Sequence, residues 1–154
     1  MEDYDHSQSL LVLMRRILKL HRHIVDLLIS KYEVLPGQPP ILLRLLKEDG
    51  MVQKEIAEEI YVKPATLTVT IDRLEKAGHV IRKPDPQDQR VSRVFLTEKG
   101  RTAALAVKEV MRELELKSFE QFSPEEKEVF RAMLQQINTS MHVVHQSVQS
   151  SSTS

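Results

Sequence analysis

The period of the sequence changes at Gly78. Ahead of it, KPATLTVTIDRLEKAG (Lys63 to Gly78) carries apolar residues at helical spacing, with Lys63-Pro64 in front and the glycine behind. Proline opens a helix in that order and glycine closes it. Behind Gly78, HVIRK and VSRVFL alternate with a period of two. The turn-rich PDPQDQR between them makes the pair read as a hairpin with a long tip. Few folds run a short helix straight into a hairpin, so this junction limits the architecture more than composition does.

Upstream, Pro36 and Gly37 interrupt the chain, and Pro39-Pro40 suits the first turn of a helix over Ile41 to Glu48 that stops at Gly50. A third short helix is expected around Gln53 to Ile60, where Ile56 and Ile60 lie one above the other. Three short helices followed by a hairpin is the winged variant of the helix-turn-helix. The expected fold class is mainly α with a small β-hairpin wing.

The ends of the chain return to helical period. Leu10, Met14, Ile17, Leu18, Val25 and Leu28 recur along one stripe behind Ser9, a candidate cap. Thr97 to Phe119 reads as a helix with Leu105, Val110, Met111 and Leu114 on one face. Ser123-Pro124-Glu125-Glu126 has the form of a capping box, and a last helix runs through Phe130, Met133, Leu134, Ile137, Met141 and Val144. These stripes exceed what one small core needs, and the simplest partner for them is a second copy. The expected organisation is an N-terminal dimerisation helix in 1–38 and a winged helix-turn-helix domain in 39–97, with the helix-turn-helix over 53–76 and the wing over 79–96. Dimerisation helices in 98–148 and a disordered serine-rich tail in 149–154 complete it.

Composition removes several functions. The chain has no cysteine, which rules out disulfides, thiolate metal sites, a cysteine nucleophile and thiol redox switching. The acidic start MEDYDHSQ is the opposite of a signal peptide, and no apolar run approaches the roughly 20 residues of a membrane span, so a cytoplasmic protein is expected. No nucleophile–base set is visible, so no enzyme is expected, and no cofactor. Glu58-Glu59 and Glu125-Glu126 read as helix faces and caps, because adjacent helical positions diverge. His142 and His145 share a helical face at i, i+3, while His21 and His23 point about 200° apart. No metal site is assigned, and a metal-responsive protein stays as an alternative.

Basic and acidic residues balance at 22 each. The balance hides a segregation: residues 61–101 hold nine lysines or arginines against five acids, leaving the remainder with an equal negative excess. A surface field decays within about 10 Å at ordinary salt, so local excess matters more than the total. On the helix opened by Lys63 and Pro64, about 100° per residue puts Leu67, Ile71 and Leu74 on one buried stripe. Ala65, Thr66, Val69, Asp72, Arg73 and Lys76 fall on the far side, with Thr68 and Thr70 on the flanks. Small residues let a backbone approach base edges, threonine hydroxyls can bond bases or phosphates, and positive charge follows. The β-branched residues of TLTVT are poor choices for a merely solvated helix face. Double-stranded DNA is the expected partner of this face; a winged-helix module that binds protein is the rival, and it would not lose its partner steeply as salt rises.

KPATLTVTIDRLEKAGHVIRKPDPQDQRVSRVFLTEKG resembles the recognition helix and wing of the MarR-type winged-helix transcription regulators, through its DRLEKAG end, its DPxDxR tip and its LTEKG junction. GQPPILLRLL and QKEIAEEI resemble the second and third helices of that family, so the likeness covers nearly the whole chain in order. It implies a triangular homodimer whose two wings straddle adjacent minor grooves of an inverted-repeat operator. It also implies repression until a ligand or modification intervenes, with room for a small-molecule pocket lined by the first, second and fifth helices; without cysteine the effectors left open are small aromatic or phenolic molecules, antibiotics, metals or none. Within the tip, Arg90 is expected to reach the DNA backbone and minor groove, with Asp88 as its buttress, while Arg82 and Arg93 supply phosphate contacts. The sequence departs from the commoner pattern at Gln89 and at Val69, where arginine often stands. The bland reading of DPQDQR is that it only closes a hairpin.

Overall fold

The computed structural model describes residues 6–151. These fall into two compact units, one through Leu114 and one from Glu115 onward.

In the first unit, α1 (Leu10–Ile29) is capped by Ser9, whose hydroxyl accepts from the Val12 N–H at 3.4 Å. Then come α2 (Pro39–Lys47), β1 (Met51–Val52), α3 (Gln53–Glu59), α4 (Pro64–Lys76), β2 (Val80–Pro84), β3 (Ser92–Leu96) and α5 (Glu98–Ser118), whose last turn enters the second unit. Prolines stand at the first positions of α2 and α4, where a missing N–H costs nothing. The mainly α architecture with a β wing is as expected, with one addition. The sheet has three antiparallel strands in the order β1-β3-β2, because Met51 pairs with Val94 and Val52 with Arg93. A two-residue strand is too short to show a period, which is why the sequence concealed it.

The core of this unit gathers Val25 and Ile29 from α1, Ile41, Leu42 and Leu45 from α2, and Ile56 from α3. Leu67, Ile71 and Leu74 of α4 complete it from below, the stripe expected from helical spacing, and all three are fully enclosed. Truncating a side chain so placed costs about 2–5 kcal/mol. Val80, Val94 and Leu96 close the core from the sheet, and Ala103, Ala104 and Val107 from α5. The opening turns of α5 therefore share the winged unit's core, where the sequence reading assigned all of 98–148 to a separate layer. Most of the α1 stripe is exposed instead: Leu10, Ile17, Leu18 and Leu28 all face outward.

In the second unit, α6 (Pro124–Ser151) begins at the expected capping box. The Glu126 N–H donates to Ser123 Oγ at 3.1 Å, and the Ser123 N–H donates to Glu126 Oε2 at 2.8 Å. Phe119, Phe122 and Phe130 stack at the α5–α6 turn with centroids 5.9 and 6.0 Å apart. The helix continues through Gln149, Ser150 and Ser151, which corrects the expectation of disorder from 149. Ser150 and Ser151 bond back to the carbonyls of Gln146 and Ser147 at 3.0 and 2.9 Å and so extend the last turn. Residues 152–154 of the expected tail, and the first five residues of the acidic start, lie outside the described residues. No helix among the described residues is long and apolar enough to cross a membrane.

The LTEKG junction has a steric reason. A Cβ built on Gly100 would stand 1.8 Å from the carbonyl oxygen of His79, so α5 crosses the start of β2 at a distance only glycine permits. The same carbonyl accepts the Thr97 N–H at 3.0 Å, and backbone held on both sides cannot yield. Gly100→Ala is therefore expected to destabilise the protein by about 3 kcal/mol or more, at the upper end of overpacking losses, as read by urea unfolding. Gly37→Ala, with nothing within 4 Å of its added Cβ, should cost less than Gly100→Ala in the same assay.

Candidate nucleic-acid interface

With Leu67, Ile71 and Leu74 turned inward, α4 presents Ala65, Thr66, Thr68, Val69, Asp72, Arg73 and Lys76 to solvent, and Val69 is half exposed. Lys63 and Pro64 at its opening are exposed as well, and Thr70 is partly so. The threonines are less free than their sequence suggests. Thr68 Oγ1 donates to the Pro64 carbonyl at 3.0 Å and Thr70 Oγ1 to the Thr66 carbonyl at 2.9 Å. Mid-helix threonines commonly bond back one turn in this way. Their protons are engaged within the helix, so this face offers lone pairs and methyl groups in place of hydroxyl donors.

The wing sorts its arginines by their neighbours. Arg82, expected to supply phosphate contacts, is drawn inward: Nη2 donates to Asp72 at 2.6 Å, Nη1 to Glu75 at 3.1 Å, and Nη2 also approaches the Thr68 carbonyl at 3.4 Å. The guanidinium thus ties β2 to α4 and fixes the wing beside the helix. Arg93, for which the same role was expected, donates through Nε to Asp85 and through Nη1 to the Gly50 carbonyl at 2.9 Å, bracing the base of the wing to β1. The Arg82 pairs lie at the surface, where ion pairs contribute little stability, so their consequence is chiefly orientation.

Two aspartates share the tip. Asp85 is buried, and its carboxylate accepts the N–H groups of Gln87 at 2.7 Å and Asp88 at 3.2 Å as well as the Arg93 guanidinium. It closes the hairpin, so the bland reading of the tip holds for this residue, whose importance the sequence reading missed. An aspartate two and three residues ahead of turn N–H groups is the signal that could have found it. Asp88 works outward. Its two oxygens accept Arg90 Nε at 3.0 Å and Nη2 at 3.1 Å, and Oδ1 also takes the Arg90 N–H at 3.0 Å. The Arg90 side chain is nonetheless 91 % exposed, held along one edge of its guanidinium with the other edge in solvent. Gln89 is exposed beside it.

These contacts set the charge states. The Gln87 N–H, followed by the Arg93 side chain, holds the Asp85 carboxyl below the ordinary aspartate value. The Arg90 side chain, followed by the Arg90 N–H, does the same for Asp88. Among the described residues no group of three or more histidines or acids could hold a metal ion.

A short helix with an outward face, tied to a hairpin that carries an oriented arginine, defines the class: a winged helix-turn-helix protein. Residues 36–92 match the family model described as "MarR family". The chain is 30 % identical over 101 residues to the uncharacterized HTH-type transcriptional regulator YybA of Bacillus subtilis, covering 66 % of this chain and 67 % of that protein. Over a shorter stretch of 74 residues it is 40 % identical to the HTH-type transcriptional regulator TtmR of Methylorubrum extorquens, covering 48 % of this chain but only 38 % of that regulator's length. Among solved structures, the MepR–DNA complex of S. aureus superposes with a TM-score of 0.78 at 25 % identity, over 90 % of this chain and 99 % of that one. The chain belongs to the MarR family.

The depressed Asp85 value gives a pH dependence with a definite sign. A carboxylate lowered on folding stabilises the folded wing fully above its ordinary value of 3.8, and the contribution is lost as pH falls through the folded-state value. NMR resonances of the Gln87 N–H and Arg93 Nε–H should move together as pH is lowered below 3.8. In Asp85→Asn that acid transition should vanish, with the Gln87 N–H less protected at neutral pH.

Proposed function

We propose that this MarR-family chain is a sequence-specific DNA-binding transcription regulator that acts as a homodimer on an inverted-repeat operator. The observation that carries the reading is Arg90. A guanidinium oriented by two bonds to Asp88 yet left in solvent is arranged to meet an anion outside the protein, and a minor groove narrowed by A·T sequence concentrates negative potential for such a probe. The Arg82 clamp supports it, since it keeps the wing and the outward face of α4 in one body. In this reading Lys63, Pro64, Ala65, Thr66, Thr68, Val69 and Thr70 lie along the major groove, Arg73 meets phosphate, and Gln89 and Arg90 take the minor-groove side. Arg82, Asp88 and Arg93 hold that arrangement.

The dimer rests on faces that one copy leaves in water. Among the described residues α6 buries none, although Val129, Phe130, Met133, Leu134, Met141, Val143, Val144 and Val148 are all substantially exposed. An apolar stripe of that length on a 28-residue helix calls for a partner, and a second copy brings an equal stripe. In this reading the two α4 helices of the dimer enter successive major grooves, with half-sites about 34 Å apart. Repression follows where such an operator overlaps a promoter. Release by a small aromatic or phenolic effector belongs to the same reading, and is tested by titrating simple phenols and benzoates into the DNA complex.

Arg90→Ala should weaken binding to the selected operator by about 1–3 kcal/mol per half-site and lower the salt slope by about one for each phosphate the side chain had neutralised, with thermal unfolding unchanged because the residue is exposed. Wild-type affinity in this variant would exclude the wing from the interface. Met133→Glu tests the dimer. In a monomer a charge at this exposed position would change stability by no more than about 0.5 kcal/mol, whereas in an apolar interface it should shift sedimentation to the monomer and abolish operator binding together.

A further inference from the structure

Three elements meet at Thr68. Its hydroxyl donates to Pro64 within α4 and accepts from Gln53 Nε2 of α3 at 2.6 Å, while its carbonyl faces Arg82 of β2 at 3.4 Å. The bond to Gln53 joins two polar side chains at the surface, where water would serve either group nearly as well. Its value therefore lies in orientation. It holds the carboxamide of a residue that opens α3 against the flank of α4.

A primary amide has two N–H donors, and Thr68 takes one. When a helix-turn-helix sits on DNA, its second helix lies in the major groove while its first crosses the sugar–phosphate backbone. A side chain at the opening of α3 thus meets phosphate oxygens before base edges. We propose that Gln53 is a DNA-contacting residue that gives one amide N–H to Thr68 and the other to a backbone phosphate, and so sets the register of α4 in the groove. The inference rests on the DNA-binding reading above and adds a contact outside the recognition helix and wing. It also gives Thr68 a part that its engaged proton does not prevent: its oxygen aims the amide.

The test uses the full chain and, as probe, the duplex that the wild-type protein selects from a random-sequence library. Gln53→Ala should bind that duplex about tenfold more weakly per half-site, the size of one hydrogen bond to a charged group in each protomer. The selected consensus should stay the same, since phosphate contacts carry no sequence information, and so should the salt slope, since a neutral amide releases no counterion. Gln53→Lys should steepen the slope by about one per protomer, because it sets a charge where the phosphate lies. Thr68→Val removes the acceptor and keeps the shape, so its loss should overlap that of Gln53→Ala. The double variant should then bind more tightly than the two separate losses multiplied together predict. Wild-type affinity in Gln53→Ala, an altered consensus, an unchanged slope in Gln53→Lys or fully multiplicative losses would each overturn the assignment. A wild-type protein that binds no duplex at all overturns the DNA reading itself, a different result from a wild-type complex indifferent to Gln53.

Discussion

Val94 is paired on both sides, with Met51 of β1 and with Arg82 of β2, and its side chain is fully enclosed by the core. Central strands tolerate the least displacement, since a slip of one residue would turn Val94 and Leu96 out of the core and Arg93 and Phe95 into it. Much of the rest depends on this register. It sets Arg93 opposite Lys83 with its guanidinium on Asp85, and it brings the carbonyl of Gly50 within reach of the same arginine. It also carries the chain to Thr97, whose hydroxyl accepts the Gly100 N–H at 3.0 Å and so starts α5. The wing is a consequence of the core's edge, and its tip is as well placed as β3 is.

Arginine has two uses in this small sheet, and carboxylates decide between them. Arg82 sits between Asp72 and Glu75, and Arg93 between the buried Asp85 and the Gly50 carbonyl, so each gives donors to two separate parts of the protein and acts as a brace. Arg90 has one carboxylate, Asp88, and that carboxylate leaves it in solvent. The planar fork makes the difference productive. Two bonds along one edge of a guanidinium fix its direction while the remaining N–H groups point away. Basic excess along residues 61–101 is thus a poor guide to which charges are available, because neutralisation occurs pair by pair.

The second unit poses a separate energetic problem. A 28-residue helix that buries none of its described side chains gains little from the hydrophobic effect in a single copy. Its capping box and back-bonded serines stabilise the ends, yet such local terms are worth about 1 kcal/mol each. The apolar stripe has to be covered before the helix contributes to stability, and under the proposed pairing with a second copy the folded state of this unit is coupled to protomer concentration.

Local pattern carried much of this protein. The switch of period at Gly78, the prolines opening α2 and α4, the 100° arithmetic that separates Leu67, Ile71 and Leu74 from Val69 and Arg73, and the box at Ser123 are all set by neighbours within a few residues, so they could be read from the chain in order. Asp88 and Arg90, two residues apart, belong to the same class. What the sequence could not show depends on residues brought together from a distance. β1 exists because Met51 meets Val94, and Gly100 is glycine because His79 runs beneath it. Arg82 and Arg93 look as available as Arg90 until Asp72, Glu75 and Asp85 are folded against them, and Gln53 draws no notice until Thr68, fifteen residues on, accepts its amide. Periodicity and capping are short-range and survive in one dimension, whereas the partner of a charge or an amide is fixed only when the chain has chosen its tertiary neighbours.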